Sequence, residues 1–322
     1  MATFIETINI LKFEIIPRLS IRDQLHLCQT SKDLHTATVS VLYRDITITH
    51  DVGITDDPPP SPKSHKWLLE LFSNSLSPQK NTFESRSLQN ITHFEVANPR
   101  GWLGYEQLPR GIHLLSFYLP NARTLPLESF ASHRKGTNSA LADTNPFWPL
   151  SSAPQATFLT TLHLDHCSSN THNITAMLAQ TPNLKTLFYA CYLPAFECDF
   201  DVDELRRGLE HVRNALTKLT LKLTIMQRGL VDFSDHEWPL THGRIDDLRD
   251  FLSLTYLEIP LAFLHSHTAP ENWQPLADLL PPNLTSFTVD DELMDHHAFS
   301  DLYTGTAIRD MMRTFLSRDY KS

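Results

Sequence analysis

Glycine is scarce in this chain, with nine residues among 322. Dinucleotide-binding turns, phosphate-binding loops and the turn that carries a hydrolase nucleophile each need two or more glycines at short fixed spacing. The nine glycines match none of these patterns. Three common enzyme signatures are therefore missing.

Cysteine and long hydrophobic runs are also rare. The four cysteines Cys28, Cys167, Cys191 and Cys198 include no CxxC pair, so we expect neither a disulfide framework nor a zinc site. The longest apolar stretch, residues 251–264, contains Glu258 and Pro260 and is shorter than the roughly 20 apolar residues of a membrane span. The first 19 residues have no signal-peptide pattern. We expect an intracellular protein, cytoplasmic or nuclear, without a membrane partner.

Positive charge is in the minority, with 27 Lys and Arg against 37 Asp and Glu and a formal net charge of -10. A phosphate backbone attracts the opposite sign, so we expect no nucleic-acid partner. Hydrophobic residues make up 41% and charged residues 20% of the chain, which is typical of a globular protein with a sizeable core.

The first fifty residues predict three short helices and a strand. Apolar residues at three- and four-residue steps favour a helix over residues 8–19, and Ser20 and Asp23 provide start signals for a second helix. A third helical stretch runs towards Leu42, and residues 45–49 (DITIT) alternate as in a strand.

Residues 19–25 (LSIRDQL), 30–32 (TSK) and 42–46 (LYRDI) together resemble the F-box of fungal-type F-box proteins. That family docks on the Skp-type adaptor of cullin–RING ubiquitin ligases. The resemblance implies that residues 1–50 form an adaptor-binding domain and that the adaptor connects the chain to a cullin scaffold. The adaptor-binding residues it implies are Ile8, Leu11, Ile15, Ile16, Leu19, Leu25, Leu27 and Leu42.

Two alternatives for this segment stay open. Ile8 and Ile10 stand where the family usually has proline and glutamate, which is compatible with a degenerate F-box. The same helices are also compatible with a simple cap on the domain that follows, because apolar helical stripes most often serve packing. Residues 51–66 include the run DDPPPSPK and predict a proline-rich linker or loop before a second domain, residues 67–322.

The second domain contains seven units with apolar residues at L-x-x-L-x-L spacing. These units are Ile91/Phe94/Val96, Ala122/Leu125/Leu127, Leu159/Leu162/Leu164, Leu184/Leu187/Tyr189, Leu216/Leu219/Leu221, Leu254/Leu257/Ile259 and Leu284/Phe287/Val289. Apolar stripes predict helices between them, with Ile174, Met177 and Leu178, with Val202, Leu205, Leu209 and Val212, and with Ile245, Leu248, Phe251 and Leu252.

This alternation of strand and helix resembles an irregular leucine-rich-repeat solenoid, an α/β architecture in which each unit packs only on its neighbours. The stripe Ile308, Met311, Met312, Phe315 and Leu316 predicts a C-terminal capping helix. A doubly wound α/β fold is the alternative, because leucines precede strands in many α/β proteins.

The two-residue period of a strand predicts which side chains point away from the core. With Leu162 and Leu164 inward, His163 and Asp165 point outward. Applied to all units, the outward positions predict a mildly acidic surface on which a protein target binds, or a solvated face that binds nothing. The candidate target-binding residues are His163, Asp165, Phe188, Lys218, Tyr256 and Glu258.

We expect no cofactor and no metal site. The cluster of His163, Asp165, His166 and Cys167 contains metal-ligating residue types, but the strand period sends His163 and Cys167 in different directions. No serine or cysteine has the local pattern of an activated nucleophile.

The sequence thus favours a non-catalytic substrate-recognition subunit of a cullin–RING (SCF-type) ubiquitin ligase, with no catalytic residues of its own. One alternative is a leucine-rich-repeat interaction scaffold with a degenerate F-box and no link to a ligase. Another is an α/β enzyme with its site in the long loops 131–155 and 227–244, suggested by the 17 histidines.

Overall fold

The computed structural model describes residues 18, 23, 38, 45–49, 92–97, 116–119, 121–128, 153–167, 171–194, 200–226, 241–266, 268–290 and 303–319. The eight predicted adaptor-binding residues, Ile8, Leu11, Ile15, Ile16, Leu19, Leu25, Leu27 and Leu42, lie outside these residues, as do the linker 51–66 and most of the two long loops. The chain divides into two compact units, residues 1–126 with 145–159, and residues 127–144 with 160–322.

The first unit contains a parallel pair of strands, β1 (Asp45–Thr49) and β2 (His93–Ala97), in which Asp45 lies opposite His93. A 3-10 turn over Ser116–Tyr118 leads to the strand β3 (Thr124–Glu128), within which the boundary between the units falls. Phe117, Leu119, Ala122 and Leu125 are buried. A turn with buried apolar residues thus precedes β3, as turns with buried apolar residues precede the strands of the second unit.

The second unit is built on a parallel sheet. Its strands, in spatial order, are β4 (Thr161–Cys167), β5 (Thr186–Pro194), β6 (Lys218–Met226), β7 (Tyr256–Pro260) and β8 (Ser286–Asp290). The register sets the first residue of each strand beside the first residue of the next. Equivalent positions of successive units therefore lie in rows across the sheet.

A repeated turn fixes this register at the start of each strand. Two successive backbone N–H groups donate to one carbonyl of the preceding unit, and a threonine hydroxyl donates to the same carbonyl from β6 onward. The donor pairs and acceptors are Lys185 and Thr186 on Thr160 (2.8 and 2.9 Å), Thr217 and Lys218 on Lys185 (2.8 and 3.0 Å), Thr255 and Tyr256 on Thr217 (2.9 and 3.2 Å), and Thr285 and Ser286 on Thr255 (2.9 and 3.0 Å). The backbone N–H groups at the start of each of these strands are thereby hydrogen-bonded in the same way from unit to unit.

The predicted alternation along the strands is confirmed by burial. Leu162, Leu187, Leu219 and Leu257 are each 0% exposed and form one apolar row of the core. The residues two positions later form a second row, Leu164, Tyr189, Leu221 and Ile259. The two rows place the core on one side of the sheet and leave the other side for polar residues.

Two of the predicted helices are present in the second unit. They are α1 (Thr171–Leu178), which buries Ile174, Met177 and Leu178, and α2 (Val202–Glu210), which buries Val202, Leu205 and Leu209. Asp201 caps α2, because its Oδ1 accepts the Glu204 N–H at 2.8 Å. Two-residue strands Phe200–Asp201 and Thr241–His242 form a separate parallel pair.

The third predicted helix is wrong: a single 3-10 turn, Leu248–Asp250, takes its place. Ile245, Leu248 and Phe251 are buried at three-residue spacing, which is the period of a 3-10 helix, whereas Leu252 is 63% exposed. The short helices α3 (Leu261–His265) and α4 (Leu276–Leu279) follow, with a further 3-10 turn over Pro270–Asn272 between them.

The predicted C-terminal helix is present as α5 (Gly305–Asp319). Its apolar stripe is half-buried at Ile308, Met311, Met312 and Phe315 and exposed at Leu316. The described part of the chain is thus a mixed α/β structure with a parallel sheet. Among the described helices, none has the length and apolar character needed to cross a membrane.

Candidate functional site

The candidate site is the side of the second unit's sheet opposite the leucine rows, here called the polar face. Its residues alternate with the buried ones along β4 to β7, and the register sets them in rows from strand to strand. The polar face consists of Thr161, His163, Asp165, Thr186, Phe188, Lys218, Thr220, Lys222, Tyr256 and Glu258. It contains all six residues that the sequence nominates for target binding.

An aromatic pair lies at the β4–β5 side of the polar face. His163 and Phe188 are directly opposite each other, and their rings stack with centroids 4.1 Å apart and planes within 7°. Both side chains are half-buried. The pair forms a half-buried aromatic cluster, here called the aromatic platform, whose apolar atoms can contact an apolar side chain.

A charged cluster lies at β6 and β7. The Lys222 Nζ is 2.8 Å from Glu258 Oε1, and the Tyr256 hydroxyl donates to Glu258 Oε2 at 3.0 Å. The Lys218 ammonium stands 4.5 Å from the centroid of the Tyr256 ring, in a cation–π contact. Each member of this cluster of four is therefore held by another member.

The cluster fixes the ionisation of its two acids. Burial alone would raise the pKa of Glu258, but the hydrogen bonds from Lys222 and Tyr256 and the charge of Lys218 lower this pKa below its usual value. The hydrogen bond to Glu258 raises the pKa of the Tyr256 phenol, with a smaller contribution from burial. Glu258 is thus a carboxylate and Tyr256 a neutral phenol at neutral pH.

The charged cluster is not acidic, although the expectation of a mildly acidic surface concerns all the outward positions, some of which lie outside the described residues. The Glu258 carboxylate is paired with Lys222, and the charge of Lys218 also acts on it. The strand period also places Asp290 on the outward side, but only 9% of this residue is exposed. Two other acids that the period places outward, Glu95 and Glu128, have side chains outside the described residues. At β6 and β7 two lysines oppose one carboxylate, so this part of the polar face is cationic.

The structure thus gathers five of the six nominated residues into two groups, the aromatic platform and the charged cluster. Asp165 lies on β4 two residues beyond His163, within the register shift between Leu164 and Cys167. Sequence reasoning missed Lys222 as a site residue, although its position four residues after Lys218 on one strand places both on the same face.

Thr220 is the second residue that was missed. It points to the polar face at the centre of the site, opposite Glu258 in the register, yet only 2% of it is exposed. A single threonine in a strand carries no sequence signal for burial under neighbouring long side chains. Its burial shows that the surrounding residues pack closely over the middle of the sheet.

The structure separates the metal-ligating residue types near β4. Cys167 is buried in the core, opposite Cys191 in the register, whereas His163 lies on the polar face. Burial raises the pKa of the Cys191 thiol to about 12, against a smaller opposing effect of its hydrogen bond with Tyr189, so this cysteine stays a protonated thiol. Within the described residues no group of three or more His, Cys, Asp or Glu is arranged to hold a metal ion.

Comparison with known proteins finds no matching family model, no matching curated protein and no matching solved structure.

Proposed function

We propose that the chain is the substrate-recognition subunit of a cullin–RING (SCF-type) ubiquitin ligase. Its N-terminal segment binds the Skp-type adaptor, and the polar face binds a protein target. Support comes from the order of two features: an F-box-like sequence in residues 8–48, followed by turn–strand units. The observation that carries the proposal is the row-by-row register of the second unit's strands, which presents neighbouring polar positions as one surface.

The finer architecture that we propose is an irregular leucine-rich-repeat solenoid. Each unit consists of a strand and a returning helix or 3-10 turn, and supporting contacts are the shared carbonyl acceptors at each strand start. Such a unit buries its apolar side only against its neighbours. In this proposal α5 covers the last unit, since its half-buried apolar stripe faces the region of α4.

The chain's contribution to ubiquitin transfer in this proposal is positioning. By resemblance to the family, the cullin brings a ubiquitin-charged conjugating enzyme, and the chain holds the target close to it. Proximity converts a slow encounter into an effectively intramolecular step. The residues of the chain itself bind the adaptor and the target and take no part in bond making.

A calorimetric titration of the full-length chain with the Skp-type adaptor tests the proposal. We expect binding by the wild type and a loss of affinity of at least about 100-fold for Leu25→Asp, since a carboxylate would be desolvated in an apolar interface. Leu252→Asp is the matched control, because Leu252 is 63% exposed in the second unit. It should bind the adaptor as the wild type does.

Circular dichroism and thermal unfolding are the controls that check whether both variants are folded. Equal adaptor affinity for wild type and Leu25→Asp would contradict the assignment of the N-terminal segment as the adaptor-binding element. A folded wild type that does not bind the adaptor would contradict the ligase proposal as a whole.

A second candidate function is an interaction scaffold without a link to a ligase. The observation that favours it is the presence of Ile8 and Ile10 where the family usually has proline and glutamate. This candidate predicts a stable complex with a protein partner in the absence of adaptor and cullin. Co-purification of adaptor with the chain would argue against it.

A further inference from the structure

Lys218 is a lysine of the polar face that has no direct ion pair among the described residues. Its side chain is exposed, and its ammonium rests on the Tyr256 ring. The only carboxylate of the cluster, Glu258, is in an ion pair with Lys222 instead. Within the described residues, Lys218 makes no ion pair with a carboxylate, and its exposure leaves its ammonium accessible to a ligand.

The position of Lys218 is nevertheless fixed by the residues around it. Tyr256 cannot rotate freely because its hydroxyl donates to Glu258, and Glu258 is held in turn by Lys222. A lysine held in place loses less side-chain entropy when it binds an anion than a free surface lysine does. The cluster is therefore organised for a ligand before the ligand arrives.

The charge balance of the cluster selects the kind of anion. Two lysines and one carboxylate leave a single net positive charge. A monoanionic carboxylate matches this charge, whereas a phosphate carries nearly two negative charges and is repelled more strongly by Glu258. Arginine, the residue typical of phosphate sites, is missing from the sequences of β4 to β8.

The distance between Lys218 and the aromatic platform is close to the distance between alternate side chains of an extended peptide. Lys218 is opposite Thr186 in the register, and Phe188 is two residues further along β5. A strand separation of about 4.8 Å and a rise of about 3.3 Å per residue place the two Cα atoms about 8 Å apart. Side chains at positions i and i+2 of an extended peptide are separated by about 7 Å on one face.

We propose that the polar face binds an extended segment of the target in which an Asp or Glu lies two residues from an aromatic or large apolar residue. The carboxylate binds the Lys218 ammonium, and the apolar side chain packs on the aromatic platform of His163 and Phe188. The inference rests on the proposed function, since it names the class of target that the receptor selects.

The test is a selection of random linear peptides displayed on phage against the full-length chain. We expect wild-type binders to be enriched in Asp or Glu with an aromatic or large apolar residue two positions away. For the best synthetic binder, Lys218→Gln should lower the affinity about ten-fold, since a hydrogen bond to a charged group contributes about 1.5 kcal/mol or more.

Lys185→Gln is the matched control, because Lys185 is also exposed but precedes β5 and lies off the polar face. Its peptide affinity should equal that of the wild type. Replacing the acidic residue by phosphoserine in the same peptide should weaken binding. Salt should also weaken it, because screening acts on an exposed charge pair.

Peptides without acidic enrichment, a complete lack of binders, equal losses in the two lysine variants, or tighter binding of the phosphoserine peptide would each overturn the inference. Failure of the inference is separable from failure of the proposed function. A chain that binds the adaptor but selects no acidic peptides refutes only the inference, and the converse result refutes only the ligase proposal.

Discussion

His265 shows how a single residue couples the fold to pH. It ends α3 with 2% of its surface exposed, and its ring stacks on Trp273 with centroids 4.8 Å apart. Trp273 stacks in turn on Tyr303, whose hydroxyl donates to the Ser266 carbonyl. No described group accepts from or donates to His265 Nε2.

This environment opposes protonation of the imidazole. Burial, and secondarily the positive charge of Arg244, lower the pKa of His265 from 6.5 to about 4. Above pH 6.5 the ring is neutral in both the folded and the unfolded chain, so its contribution to stability is constant. As the pH falls from 6.5 towards 4, the unfolded chain binds a proton that the folded chain excludes, and stability is lost.

We therefore predict that burial of a neutral His265 costs the wild type about 2 kcal/mol of unfolding free energy between pH 7.5 and pH 5. His265→Phe keeps an aromatic ring against Trp273 and should lose this part of the pH dependence. Urea unfolding at the two pH values measures both. The exposed His211 supplies the control His211→Phe, which should retain the wild-type dependence; an unchanged dependence in His265→Phe would refute the account.

The alternation of strand side chains explains why the faces of the site residues were predictable and their contacts were not. Period two decides that Tyr256 and Glu258 share a face. Side-chain rotamers and neighbouring strands decide the contacts. They determine that the Tyr256 hydroxyl donates to Glu258 and that Glu258 pairs with Lys222 and not with Lys218. A sequence pattern within one strand contains neither kind of information.

At the scale of elements, α1 and α2 of the second unit pack closely against each other. Gly208 of α2 faces Thr175 of α1, and a Cβ on Gly208 would lie 2.8 Å from Thr175 Oγ1 and 2.9 Å from Thr175 Cα. The same hydroxyl donates to the Glu204 carbonyl at 2.8 Å. The two helices therefore approach as near as they do because residue 208 has no side chain.

We predict that Gly208→Ala lowers the unfolding free energy by about 1 to 2 kcal/mol, because the strain of overpacking exceeds the gain in helix propensity. Gly305→Ala at the start of α5 is the control, since a Cβ there meets nothing within 4 Å. This control should be neutral or stabilising by up to about 1 kcal/mol. Chemical denaturation compares them, and a stabilised Gly208→Ala protein would show that the helices separate freely.

The elements also show where sequence reasoning succeeded and failed. The stripes of α1, α2 and α5 have mixed three- and four-residue steps, and each is a helix. Ile245, Leu248 and Phe251 have a constant step of three, and of these only Leu248 lies within the 3-10 turn, Leu248–Asp250. Including Leu252, which is exposed, added a four-residue step to the stripe, and the mixed steps then predicted an α-helix that the structure does not have.

At the scale of the whole molecule, the parallel sheet was predictable because the same apolar spacing recurs from unit to unit. The Thr-Pro-Asn-Leu and Pro-Pro-Asn-Leu sequences before β5 and β8 mark turns that donate to the previous unit's carbonyl. The order of the strands follows from that local rule. The contacts within the charged cluster were less predictable, because they join residues of different units, Lys218 and Lys222 of β6 with Tyr256 and Glu258 of β7.

Capture of the cullin scaffold on the immobilised full-length chain tests the proposed link between this chain and a ubiquitin ligase. We predict that the cullin is retained only when the Skp-type adaptor is added. The Leu25→Asp chain should retain neither protein, whereas Leu252→Asp should behave as the wild type. Retention of adaptor and cullin by Leu25→Asp as well as by wild type, or a wild type that retains no cullin with adaptor present, would contradict the account.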